Sequence, residues 1–233
     1  MFNTVLFVVF PYVAVVVAVV LGIHRYRTNR FSYSSLSSQF LENRTLFWGS
    51  VPWHYGVILI LLTHFLAFLF PTAWGNMLAD RIRLYVLEVS GLALALMTVI
   101  GIALLIVRRL RSPRVFKVTS NADWLLLFVL LLQVALGFWI ALVYRWGSGW
   151  YVHTAVPWLR SLLVLNPQIQ HVTVLPWLVQ LHLLLGFVIV LLFPFTRLVH
   201  LVTFPVTYLW RPLQVVIWNR RAPQNSRDAA RRP

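Results

Sequence analysis

The chain contains no cysteine. That absence excludes disulfides, thioether-attached haem, cysteine-ligated iron–sulfur clusters and thiolate zinc sites, so any redox centre has to be held by histidine. Acidic residues are scarce too: Asp and Glu number 5 against 20 Lys and Arg, and only 11% of the 233 residues are charged. So few charges cannot clothe a soluble domain of this length, and the 60% hydrophobic content and mean hydropathy of +0.80 place the chain in a bilayer. A net charge of +15 would suggest nucleic acid in a soluble protein, but here the cations stand between apolar runs, where they orient helices. Nucleic acid is therefore not an expected partner; lipid is.

What the sequence does have is five apolar runs, about 3–23, 46–70, 84–107, 124–144 and 174–203, each bounded by charges or turn residues. They predict an all-α integral membrane bundle of five transmembrane helices. The first run lacks a basic leading region and a small-residue cleavage site and is followed by Arg25, Arg27 and Arg30, so it is expected to be a retained helix, not a signal peptide. No internal repeat is visible. Residues 1–221 read as one membrane domain, and residues 222–233, rich in Arg, Pro, Gln and Asn, as a disordered basic tail.

With the N-terminus outside, the inner segments hold Arg25, Arg27, Arg30, Arg44, Arg108, Arg109, Arg111, Arg114, Lys117, Arg197, Arg211, Arg220, Arg221, Arg227, Arg231 and Arg232, sixteen of the 20 cations. The outer loops keep only Arg81, Arg83, Arg145 and Arg160. The positive-inside rule then sets the N-terminus outside and the C-terminus in the cytoplasm, in a multi-pass protein of the cytoplasmic (inner) membrane. Trp48, Trp53 and Trp74 flank the second run as interfacial anchors.

Within these runs lie four histidines: His54 and His64 in the second, His182 and His200 in the fifth. An imidazole at lipid depth is costly unless something satisfies it. The second run rises from inside to outside and the fifth returns, so matching depths pairs His64 with His182 and His54 with His200. Ten residues separate the first two, a rise of about 15 Å, and eighteen the second two, about 27 Å on a continuous helix, with Pro194 available to kink the longer path. Eighteen residues are also five whole turns, which would point both histidines of a straight fifth helix the same way.

Zinc wants three or four protein ligands, and no cysteine or aspartate shares these depths; a haem iron has four ring nitrogens already and needs two axial imidazoles. Two haem b groups stacked across the membrane are the expected cofactors, and interhelical hydrogen bonding is the alternative use of the same histidines. Gly56 and Gly186 lie beside ligand positions, where a missing side chain would let a flat macrocycle approach the backbone or let helices pack.

The stretches Trp53-His54-Tyr55-Gly56, Thr63-His64-Phe65, Leu181-His182-Leu183-Leu184-Leu185-Gly186 and Phe193-Pro194-Phe195-Thr196-Arg197-Leu198-Val199-His200 resemble the gamma subunit of respiratory nitrate reductase, a di-haem cytochrome b. Ser37-Ser38-Gln39, Ser112-Pro113-Arg114-Val115 and Gln133-Val134-Ala135-Leu136-Gly137 extend the similarity over nearly the whole chain. The resemblance implies oxidation of a membrane quinol near the outer haem and electron transfer inward to an iron–sulfur subunit, which feeds a molybdenum-containing catalytic subunit. It also implies the same ligand pairing. Where the family's quinol pocket has a glycine before the outer ligand and a lysine after the second span, this chain has Thr63 and no lysine, with Arg81 or Arg83 near that place; position 180 is Gln180, where the family can carry arginine.

By position, His64, Arg83 and Glu88 are the candidate quinol-site residues, Glu88 having an ion pair with Arg81 or Arg83 as its plainer role. Arg114 and Arg197, near the inner face, are candidates for haem propionate contacts or for anionic lipid. Asp123 is expected to start a helix, and His24, His153 and His171 to lie at the surface. Two other functions compete: a di-haem, quinone-linked anchor of a different molybdoenzyme or sulfite-reductase-linked complex, and a transporter using histidines as proton relays.

Overall fold

The computed structural model describes residues 1–34, 38, 41, 42 and 44–202. Five helices within it are long and apolar enough to cross a membrane: Phe2–Thr28, Arg44–Leu69, Arg81–Arg111, Asn121–Val143 and Trp177–Phe195, called here the first to fifth spans. No strand occurs among the described residues. Spans one to four match the apolar runs and extend past most of them into the flanking polar residues, because a helix satisfies its own backbone and need not end where lipid ends. Large apolar side chains such as Val16, Leu61, Val86 and Phe128 stay exposed along them, as a lipid-facing surface requires. Ser37, Gln39, Arg211, the expected end of the fifth run at 203 and the basic tail from Ala222 lie outside the described residues.

Packing follows a chain of neighbours: the second span on the third, the third on the fourth, the fourth on the fifth, and the fifth on the first. The second and third approach closely through small residues. A Cβ on Gly101 would stand 2.6 Å from the backbone nitrogen of Trp53, and one on Gly49 would stand 3.2 Å from the Gly101 carbonyl oxygen. Backbones this close admit no side chain between them. Gly101→Ala is therefore expected to force these spans apart at a cost of about 1–3 kcal/mol, the range for overpacking, read as a lower thermal midpoint in detergent. An unchanged midpoint would mean that the spans separate freely here.

The fifth span departs from expectation. Its α-helix ends at Leu192, a 3₁₀ turn runs over Phe193–Phe195, Thr196 is extended, and a second 3₁₀ turn covers Arg197–Leu201. Pro194 has no N–H for the helix ladder, and its ring crowds the preceding turn. The opened backbone is satisfied from outside the segment: Arg25, at the end of the first span, donates from Nη1 to the carbonyls of Pro194 (2.7 Å) and Thr196 (3.1 Å). The same guanidinium holds Ser32 through Nε to Oγ and Nη2 to the carbonyl, both at 2.9 Å. The straight-helix geometry for His182 and His200, five turns on one face, is thereby replaced by a break.

Contacts also sort the two ends of the bundle. At the cation-rich end, Arg108, only 3% exposed, binds Glu42 through Nε (2.6 Å) and Ser38 through Nη1 (2.9 Å), tying the third span to the segment before the second. Glu42 in turn accepts from the Thr45 N–H, capping the second span. At the opposite end, the connection between the fourth and fifth spans is folded into short helices, Gly147–His153, Ala155–Leu163 and Gln170–Thr173. Trp158 is fully buried there, and its indole Nε1 donates to the Phe7 carbonyl at 3.0 Å. Phe7 lies in a π-helical stretch, Val5–Val9, whose altered ladder accompanies this extra acceptance. Tyr12 Oη donates to the Leu162 carbonyl at 2.8 Å, so this cap is clamped to the first span at two levels.

Candidate functional site

Two of the four intramembrane histidines meet directly. The rings of His54 and His200 stand 6.4 Å apart, centre to centre, at 70°. Two imidazoles sharing one metal ion, at about 2 Å per metal–nitrogen bond, have centres about 6 Å apart. The break at Pro194 is what brings His200 here: His200 sits on the 3₁₀ turn after it, not on a continued helix. His64 lies nearer the opposite end, its ring against Tyr151 of the connection between the fourth and fifth spans. The path to His200 differs from the straight helix expected from the sequence.

All four rings have the same kind of support. Nδ1 of His54 meets the Ser50 carbonyl at 2.7 Å, Nδ1 of His64 the Ile60 carbonyl at 2.8 Å, Nδ1 of His182 the Gln133 carbonyl at 3.1 Å and Nδ1 of His200 the Arg197 carbonyl at 2.5 Å. A carbonyl only accepts, so Nδ1 carries the proton and Nε2 keeps its lone pair. This is how metal-binding histidines are held: the second ring nitrogen is bonded to a carbonyl or carboxylate, which fixes tautomer and ring direction. Among the described residues no group of three or more His, Cys, Asp or Glu could hold a metal ion, so a cage of protein ligands alone is not on offer. Paired histidines suit a group that brings its own equatorial ligands.

The supports of these rings are partly residues that sequence reasoning assigned elsewhere. Arg197 Nε pairs with Asp123 Oδ1 at 2.7 Å and Nη2 with Oδ2 at 2.8 Å, a forked contact that ties the His200 turn to the start of the fourth span. Asp123 also closes a capping box with Ser120, so its expected helix-start role is present and the ion pair is additional. Arg114 is exposed on the short helix Pro113–Lys117. Gly56 does not open a face for a cofactor: a Cβ there would strike Thr98 Oγ1 of the third span, so its purpose is helix packing. The signal missed was Gly137, where a Cβ would stand 3.0 Å from His182 Cε1; this glycine admits the ring.

At the end nearer His64, the cap supplies a lid. Tyr151 packs edge-on against the His64 ring at 5.2 Å, and its hydroxyl faces the His64 carbonyl at 3.4 Å. Burial pushes the Tyr151 phenol up to about 12, so it stays protonated. One turn earlier in the same short helix, the Ser148 N–H donates to Glu88 Oε1 at 2.8 Å. Glu88 therefore caps this helix, in place of the expected ion pair with Arg81 or Arg83. Arg83 is exposed; its backbone N–H binds Asp80. A groove beside it is lined by Leu78, Arg81, Tyr85, Val86 and Trp146, with Arg81 as its cation.

Residues 3–219 match the nitrate reductase gamma subunit family. The chain belongs to that family. It is 33% identical to the respiratory nitrate reductase 1 gamma chain of Escherichia coli (strain K12), covering 92% of this chain and 96% of the relative, and 28% identical to the nitrate reductase gamma chain of Bacillus subtilis (strain 168), covering 95% and 100%. It is also 31% identical to the nitrate reductase-like protein NarX of Mycobacterium tuberculosis, over 91% of this chain but 33% of that protein, so it spans about one third of the length of this relative. A gamma subunit with five spans is a multi-pass membrane protein, as the apolar runs had implied.

Proposed function

We propose that this gamma subunit oxidises quinol for a respiratory nitrate reductase complex in the cytoplasmic membrane. In this reading two haem b groups lie between the second and fifth spans, and electrons pass to an iron–sulfur subunit that serves a molybdenum-containing catalytic subunit. The observation that carries this reading is the state of the four imidazoles, each with Nδ1–H on a backbone carbonyl and Nε2 held as a lone pair, with His54 and His200 facing each other at 6.4 Å. His54 and His200 would hold one haem, and His64 and His182 the other. A haem bound this way supplies one-electron transfer at its iron.

The chain's own residues do the rest. The positive-inside rule sets the cation-rich end in the cytoplasm, so His54 and His200 face the partner subunits and His64 faces the outer leaflet. Quinol reaching His64 from the lipid meets the lid formed by Gly147–His153. Its carboxylate neighbour Glu88 accepts the Ser148 N–H at Oε1, and its other oxygen is suited to receive a proton released toward the outside. Tyr151, held protonated, donates a hydrogen bond and does not take that proton. Arg83, with Arg81 in the neighbouring groove, supplies positive charge for a quinol oxygen.

In the assembled complex, the double variant Glu88→Gln, Arg83→Ala is expected to slow reduction of the haems by a quinol analogue about a hundredfold. The reduced-minus-oxidised spectrum should keep both haems. Unchanged reduction kinetics would remove these residues from the quinol site, and a wild-type chain without a b-type spectrum would end the reading altogether.

A further inference from the structure

Gln133 is the one polar side chain in the fourth span between Leu125 and Phe138, a stretch otherwise of Leu, Phe, Val, Ala and Gly. A primary amide in such surroundings is costly unless its donors and acceptor find partners. Its two ends are used unequally. The Nε2 amino group stands 3.5 Å from Nε2 of His182, whereas Oε1 is buried with no hydrogen-bond partner. The backbone of the same residue binds the other side of the ring, its carbonyl accepting from His182 Nδ1 at 3.1 Å. That carbonyl can be reached because position 137, one turn on, is glycine: a Cβ there would press the ring at 3.0 Å from Cε1. On the facing span, a Cβ added at Gly186 would lie at ordinary contact distance, 3.9 Å, from the Gln133 amino group.

We infer that Gln133 and Gly137 form a positioning device for His182 that also tunes the centre this histidine holds. The inference rests on the haem reading above. Backbone and side chain have separable parts in it. The carbonyl, exposed by Gly137, decides which imidazole nitrogen carries the proton and where the ring points. The amino end of the amide places the positive end of a dipole against the ligating side of the ring in a low-dielectric setting, which favours the reduced, less positive state of the iron. His54, by contrast, is supported from within its own helix by Ser50, through carbonyl and hydroxyl.

The test uses the full chain purified with its haems. Gln133→Leu keeps the backbone carbonyl and the side-chain volume but removes the dipole. It is expected to shift the reduction equilibrium of one haem about tenfold toward the oxidised form, about 59 mV for one electron, and to leave the other haem unmoved in an optical redox titration. Gly137→Ala is expected to tilt or displace His182, so that one low-spin haem signal in the electron paramagnetic resonance spectrum changes or disappears while the second persists. Potentials unmoved in Gln133→Leu, or both potentials displaced equally, would overturn the inference, as would a Gly137→Ala chain with both signals unaltered. A wild-type chain lacking haem would instead defeat the functional reading on which the inference stands.

Discussion

Replacing His54 or His200 by alanine is expected to abolish the same one of two b-type haem signals, and replacing His64 or His182 the other. Each variant should retain about half the haem of the wild type, because a low-spin centre does not survive the loss of one of its two imidazoles. The pairing has a geometric basis at the first site, where the rings face each other at 6.4 Å. At the second, both rings are aimed by Nδ1 contacts to backbone carbonyls, one of them on a neighbouring span. Stability should fall with haem content, since a ligand that binds only the folded chain stabilises it, and the abandoned imidazole remains at lipid depth. Spectra and pyridine haemochrome titration of the four variants measure this. Different haems lost within one proposed pair, or loss of both haems in every variant, would break the assignment.

A variant far from any ligand should have nearly as large an effect. Arg25 lies in the first span, yet it holds the carbonyls of Pro194 and Thr196 at the break that carries His200 toward His54. Hydrogen bonds from a charged donor contribute about 1.5–3 kcal/mol each, and removing this donor leaves two carbonyls unsatisfied where the helix ladder has already been opened. Arg25→Gln is therefore expected to release the turn Arg197–Leu201 and to lose or weaken the His54–His200 haem, with the His64–His182 haem retained. Arg25→Lys, which keeps charge but not the forked geometry, should fall between. Arg27→Ala, two residues on and exposed, is the comparison, with both haems expected intact. If Arg25→Gln and Arg27→Ala behave alike, Arg25 acts only as one more positive charge at that face.

Arg25 also marks where a sequence ceases to be readable. In a charge count it is one of sixteen cations that orient the helices, indistinguishable from Arg27. In the fold it is engaged, as are Arg108, Arg109 and Arg197: Arg108 is buried against Glu42 and Ser38, Arg109 donates to Thr119, and Arg197 is forked on Asp123. Two of these charges, on Arg108 and Arg197, are neutralised by ion pairs. Glu88 shows the same limit. Its nearest cations in sequence, Arg81 and Arg83, made an ion pair the natural expectation, but its observed partner is a backbone N–H sixty residues away.

Composition and residue order are enough to establish that this chain is an all-helical membrane protein with five spans and that its second and fifth apolar runs each carry two histidines. Those features follow from properties each residue carries alone, the transfer cost of its side chain and the self-sufficiency of helical hydrogen bonding in lipid, which add along the chain without reference to neighbours in space. How the histidines are held is set by packing in three dimensions. The break at Pro194, its closure by Arg25, the Arg197–Asp123 fork, the opening at Gly137 and the folded cap that seats Tyr151 on His64 are contacts between segments far apart in sequence. Each depends on which backbone carbonyl stands within reach of which donor, and that is a property of packed helices, not of composition or spacing.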